Sequence, residues 1–404
     1  MRILYVTSTL PFGAAESFVI PEVCELLRRG HDVRVIPIRP RNGIVHVGID
    51  ELLERSVPTP LVSGRVLRGA SRAVRMFGSA AVRSAADVVG ESTSSVRLKN
   101  AAVLPKALWL ATEAKDFAPD HIHAHWASTT STAAMIAASL AEVPWSLTAH
   151  RWDIAEANLL ERKSASAAFV RAISTDGACD LRSQLAGRQN IVELHMGVDL
   201  PPQPGRPAPH RKFLTVFVPA SLVPVKGHDV LFRALALRGP ADAGISAVIA
   251  GGGPLRGRLE RLAADLGIAD RVHFLGQLPH DDVLRQLGSG AYDLVVLSSV
   301  ARGGEKEGIP VALVEAMAHS VPVLATDVGG VSELVGRGGG MLVPSADEQA
   351  LADALSELAA DVELRRSLAL AGRRRVEEEF SIVSIAVRLV DLFEAAAGGR
   401  RAPQ

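Results

Sequence analysis

Residues 305–327, EKEGIPVALVEAMAHSVPVLATD, set three carboxylates around a Gly-Ile-Pro turn and follow it with an almost unbroken apolar run. The spacing predicts a helix from Pro310 to about Ser320 and a strand over 321–327. Proline suits the first helical position because its missing N–H would be unpaired there anyway. The preceding DLVVLSS (293–299) is a short continuous apolar strand, so the order is strand, loop, helix, strand. Parallel sheets with right-handed crossovers are built from such units. Free N–H groups near 308–311 favour an anion, by roughly 0.3–1 kcal/mol per charge when exposed. Glu307 and Glu315 would repel a phosphate, but a carboxylate accepts two hydrogen bonds from a vicinal diol. A diphosphate with diols on both sides is a nucleotide sugar. Taken alone, the same residues also read as a solvated acidic loop with one capping glutamate.

The alternation extends over most of the chain. Strands are expected at 2–6, 32–38, near 120–124, 145–148, 169–173 and 191–194, then at 212–220, 246–252 and 272–276. The two strands quoted above complete the set. From about 346 to 397 the pattern is helical. GVDLPPQPGRPAPH (197–210) is too rich in Pro and Gly for a regular element. The expected organisation is an α/β fold with two Rossmann-like doubly wound domains. The first covers 1–198, a linker 199–210, and the second 211–379, with a helix near 380–397 packing back on the first. Ligands of such sheets bind beyond the carboxyl ends of the strands, in a cleft between the domains.

Composition is compatible with this plan. The 404 residues are 48% hydrophobic and 22% charged, and suit two domains of roughly 200 residues. The formal net charge of zero carries no electrostatic signature of nucleic-acid binding. Cys24 and Cys179 make neither a disulfide framework nor a zinc cluster, which fits a reducing cytoplasm. The opening MRILYVTSTL reads as a strand rather than a leader, and no run reaches the length of a membrane span.

EGIPVALVEAMAHSVPVLATDVGGVSELV (307–335) resembles the signature of the retaining glycosyltransferases of family 4, which have the GT-B fold. EGIPVALVEAMA is close to the form in exopolysaccharide and colanic-acid assembly members. The resemblance implies that Glu307 contacts the donor sugar, that Glu315 holds the ribose, and that Glu305 is a solvated neighbour. It implies backbone donors to sugar and phosphate at Gly308, Ile309, Pro310 and Val311. VPASLVPVKGHDVLFRAL (218–235) resembles the segment that neutralises the diphosphate: Lys226 and Gly227 match, while Ser221 stands where the family has Arg. Arg302 is a candidate substitute for that missing cation. TAH (148–150) resembles the segment whose His reaches the donor sugar, implying that role for His150; Asp153 is expected to orient it or to meet the acceptor. GAAESF (13–18) resembles the small-residue loop near acceptor and diphosphate. There Gly13 and Ala14 allow close approach, and Glu16 caps a helix or meets the acceptor. Gly276, Gln277 and Leu278 match the segment beside the nucleotide base.

HIHAHW (121–126) is the competing signal. In a strand His121, His123 and His125 face one way, and His-x-His is also a feature of metal-dependent hydrolases. The family often carries such a run at this strand, so no metal site is expected. Residues 62–106 hold Arg65, Arg68, Arg72, Arg75, Arg83, Arg97, Lys99 and Lys106 against few acids. They form either a solvated basic face or a surface for anionic lipid.

The expected function is transfer of a hexosyl unit from a nucleoside-diphosphate sugar, UDP or GDP, to a saccharide or lipid-linked acceptor. The resemblance implies retention at the anomeric carbon without a metal, in the cytoplasm or at the inner face of the membrane. A nucleotide-sugar-binding regulator and a sugar-nucleotide epimerase on the same fold are the alternatives.

Overall fold

The computed structural model describes residues 1–13, 16–40, 43, 46, 49–202, 214–237, 244–302 and 307–399. The chain divides into two compact units. Unit 1 holds 1–197 together with 382–404, and unit 2 holds 198–381. Ala14, Glu305 and most of the expected linker lie outside the described residues.

Unit 1 is a six-stranded parallel sheet. Its strands are β1 (Arg2–Thr7), β2 (Asp32–Pro37), β3 (His121–His125), β4 (Trp145–Ala149), β5 (Phe169–Ala172) and β6 (Ile191–Glu193). They lie in the order β2-β1-β3-β4-β5-β6. β1, β3, β4 and β5 are nearly wholly buried, as parallel strands covered by helices on both faces must be. The basic insertion forms three helices, Gly64–Phe77, Ser79–Glu91 and Ser94–Phe117. The helix Ile382–Ala397 closes the unit: Ile385, Leu389 and Phe393 pack with Ile3, Tyr5, Val23 and Phe169 in one core.

Unit 2 is a second parallel sheet. It comprises β7 (Leu214–Pro219), β8 (Ile245–Ala250), β9 (Val272–Gly276), β10 (Leu294–Leu297), β11 (Val323–Asp327) and β12 (Met341–Pro344), ordered β12-β11-β10-β7-β8-β9. This is the doubly wound dinucleotide-fold order, and the chain reverses direction across the sheet between β7 and β10. In unit 1 the corresponding switch lies between β1 and β3.

Two details differ from the sequence reading. β12 was not expected; MLVP is four residues long and half-exposed at the sheet edge, so it lacks a long apolar run. Pro310 is the cap of the helix Val311–Ala318 rather than its first residue, with an extended backbone at ψ 111°.

Candidate active site

The switch point of unit 2 brings together the loops after β7 and β10. Lys226 ends a short turn after β7, and Gly227 follows in the left-handed region at φ 59°. A Cβ on Gly227 would stand 1.9 Å from the Ser298 carbonyl oxygen, so only glycine lets the two loops touch. That contact delivers Lys226 to Glu307. Its Nζ donates to both carboxylate oxygens at 2.8 Å, and Ser299 Oγ donates to Oε2 at 3.0 Å. The pair is largely shielded, with side-chain exposures of 21% and 13%.

The loop after β11 supports the same acid from its other side. Gly330 N–H donates to the Glu307 carbonyl at 3.1 Å. Gly329, at φ 60°, passes so close that a Cβ would meet that oxygen at 2.0 Å. The N–H groups of Gly308, Ile309 and Val311 have no hydrogen-bond partner among the described residues. Three of the four expected backbone donors are therefore available at the start of Val311–Ala318, while Pro310 has no N–H to give.

Glu315 lies about one turn further on, buried, and takes His280 Nε2 at 2.6 Å. This hydrogen bond raises the His280 pKa above its ordinary value while burial works against it. Gln277 Oε1 accepts from Gly252 N–H at 3.1 Å, tying the loop after β9 to the loop after β8. Gly276 is left-handed at φ 79°, and Leu278 packs against the unit 2 core. The Ser221 side chain is exposed, and its carbonyl accepts from His228 Nε2 at 3.1 Å. Arg302 does not fill the cationic gap left by Ser221. It pairs with Asp229 at 2.8 Å, on the helix that follows Lys226.

In unit 1 the loops after β1, β3 and β4 converge at the switch between β1 and β3. His150, at the end of β4, is 5% exposed and lies between the rings of Trp126 and Phe18, at 4.1 and 5.3 Å. Burial pushes its pKa well below the ordinary histidine value, which keeps the imidazole neutral.

The Asp153 and Glu16 carboxylates both accept from backbone N–H groups of the surrounding loops. The Asp153 carboxylate is wholly buried and accepts from the His150 N–H at 2.7 Å and the Ala127 N–H at 2.5 Å. Burial raises its pKa to about 7. The Glu16 side chain makes no cap hydrogen bond; five donors reach it, namely the N–H groups of Ser8, Thr9 and Leu10, the Thr9 hydroxyl and Trp126 Nε1. It thereby fixes the turn after β1 and holds Trp126, whose φ of 77° is uncommon for a bulky residue. Gly13 is left-handed, at φ 75°, and its carbonyl accepts from His46 Nε2 at 3.0 Å.

His121, His123 and His125 all point into the core. His123 Nδ1 is 2.7 Å from Ser146 Oγ and Nε2 2.9 Å from Thr148 Oγ1; His121 Nε2 shares the Ser146 hydroxyl at 2.7 Å. Glu22, His123 and His125 have ligand atoms within 4.8 Å of one another, but their close contacts are to hydroxyls, Arg171 and each other.

The sequence reading missed Glu22, Arg171, Ser299, His280 and Gly329. Glu22 was detectable, since it falls three residues after Val19 and four before Leu26, on the apolar face of its helix. Ser299 is the last residue of the quoted DLVVLSS, and His280 lies two residues beyond Leu278.

Two doubly wound units, with a lysine–glutamate pair at the switch of the second, define a protein of the GT-B class. Residues 204–375 match the family described as "Glycosyl transferases group 1". Among curated relatives, the GDP-mannose-dependent monoacylated alpha-(1-6)-phosphatidylinositol monomannoside mannosyltransferase of Corynebacterium glutamicum is 34% identical over 176 residues, 43% of this chain and 45% of that protein. The putative colanic acid biosynthesis glycosyltransferase WcaL of Escherichia coli is 33% identical over 215 residues, 52% of each chain. The chain thus spans about half the length of these relatives. In fold it is similar to Anabaena HepE, solved in complex with UDP and glucose. The TM-score is 0.72 at 20% identity, covering 98% of this chain and all of the other.

Proposed function

We propose that the chain is a retaining glycosyltransferase that moves a hexosyl unit from a nucleoside-diphosphate sugar to a saccharide or lipid-linked acceptor, without a metal. The observation that carries this reading is the Lys226–Glu307–Ser299 cluster beside the free N–H groups of Gly308, Ile309 and Val311. A departing diphosphate gathers negative charge, and fixed cationic and N–H donors stabilise it without reorganisation. Lys226 and the helix start supply such donors. Glu307 and Glu315 accept from sugar and ribose hydroxyls, and in unit 1 His150 meets a sugar hydroxyl. UDP or GDP is the favoured carrier, supported by a GDP-mannose-dependent relative and a fold neighbour solved with UDP.

A lipid-linked acceptor is supported by the helix Gly64–Phe77. Leu67 and Val74 are exposed, and Arg68 and Arg75 recur beside them at the same seven-residue spacing. An exposed apolar and cationic face suits an anionic bilayer surface. No helix among the described residues is long and apolar enough to cross a membrane. The experiment is a donor screen that follows nucleoside-diphosphate release from UDP-, GDP- and ADP-sugars, with and without EDTA. Release from one carrier class, unchanged by EDTA, is expected; release from none would contradict the reading.

A further inference from the structure

HIHAHW and the buried Glu22 take no part in the chemistry proposed above, yet they form a continuous hydrogen-bonded line that ends on His150. His125 Nδ1 lies 3.4 Å from His150 Nε2, and His125 Nε2 lies 3.1 Å from Glu22 Oε1. Tyr5 donates to the same oxygen at 2.9 Å, and Arg171 Nη1 donates to the other at 2.5 Å. Arg171 also binds the carbonyls of Leu194, at 2.8 Å, and His195. Tyr5, Glu22, His125 and Arg171 are all wholly inaccessible to solvent.

Counting charge in this closed space decides where the protons sit. Glu22 and Arg171 form one ion pair, so a positive charge on His125 would stand beside Arg171 with no second anion to face it. Burial pushes the Glu22 carboxyl up, but Arg171 and the His125 hydrogen bond outweigh it and hold the group well below the usual carboxylate range. An ionised Glu22 only accepts, so a His125 that carries one proton holds it on Nε2. The bare Nδ1 of such a ring accepts, and the donor facing it among the described residues is His150 Nε2. Trp126 and Phe18 hold the His150 ring plane on its flanks.

We infer that Glu22 and His125 are positioning residues that fix the His150 tautomer, so that His150 carries its proton on Nε2 and offers Nδ1 as a hydrogen-bond acceptor. A sugar hydroxyl at that site must donate to it. A neutral histidine left to itself would offer a donor or an acceptor, and the line from Glu22 removes that choice. The inference deepens the reading of His150 as a sugar contact, and its kinetic consequence rests on that reading.

The test uses the full chain labelled with 15N-histidine and long-range proton–nitrogen correlation, with the His150 signals assigned through His150→Gln. His150 should show a protonated Nε2 and an unprotonated Nδ1; a protonated Nδ1 would overturn the inference. Two variants separate positioning from packing. In His125→Gln the amide can donate to Glu22 and accept from His150 as the neutral ring does, so the tautomer persists and kcat stays within about threefold of wild type. In His125→Leu the acceptor is gone, so the other tautomer appears and kcat falls by about tenfold or more, with donor KM moving less. An unchanged tautomer in His125→Leu would overturn the inference. If the wild-type chain transfers no sugar, the functional reading fails, while the spectrum still decides the tautomer.

Discussion

Lys226 and Glu307 lie 81 residues apart in sequence and meet at 2.8 Å because Gly227 lets one loop lean on the other. Their residue types were legible in the sequence, since a lysine and a glutamate after apolar strands stand out. Their mutual hydrogen bond was not, because nothing in local spacing says which strands are neighbours. The same holds for His280 and Glu315, which pair at 2.6 Å between the helices His280–Gly288 and Val311–Ala318. That pair has a pH signature. The hydrogen bond to Glu315 raises the His280 pKa above 6.5 despite burial, so its stabilisation is complete below that ordinary value and is lost as pH rises through the raised one. His280→Gln should therefore lower Tm most under mildly acidic conditions, and the deficit should shrink as pH rises into the alkaline range. Melting curves across pH check this; a deficit that grows with pH would remove the pairing. The roles expected of Glu16 and Asp153 were the least legible. A carboxylate that satisfies backbone N–H groups looks in sequence like one that waits for a substrate.

At the scale of elements, the two sheets were readable because buried parallel strands are continuous apolar runs bounded by turn residues. Strand order was not readable, and neither was β12, whose four residues are only half-buried at the sheet edge. Glycines set how the elements approach. Gly329 is left-handed, and its Cα passes the Glu307 carbonyl with no room for a methyl group. Gly329→Ala adds both strain at φ 60° and a clash at 2.0 Å, so it should cost about 1–3 kcal/mol of unit 2 stability and displace Glu307. Gly338 is also left-handed, at φ 82°, but a Cβ there meets nothing within 4 Å, so Gly338→Ala carries only the strain. Thermal melts of both variants, with turnover of the folded fraction, measure the difference. Equal effects would mean that the Gly329 loop does not support the acid.

At the scale of the molecule, the chain runs through unit 1, then unit 2, and returns at Ile382 to finish the core of unit 1. The return was expected as a helix near 380–397 packing back on the first domain; the stacking of Phe393 on His121, at 4.5 Å, belongs to tertiary packing. The basic helices of unit 1 carry the membrane proposal. The chain should float with vesicles rich in anionic lipid and should stay behind with zwitterionic ones. Replacing Arg68 and Arg75 by Glu should abolish flotation, and flotation indifferent to lipid charge would remove the proposal. The most direct measurement of the central claim is nucleoside-diphosphate release by wild type and Glu307→Gln with the carrier selected in the donor screen. Gln keeps the shape of the side chain but loses the charge that faces Lys226 and one hydroxyl-accepting oxygen. The expected result is turnover reduced by about 100-fold or more while free nucleoside diphosphate still binds. A Glu307→Gln protein that turns over like wild type would contradict the assignment of this cluster as the reacting centre.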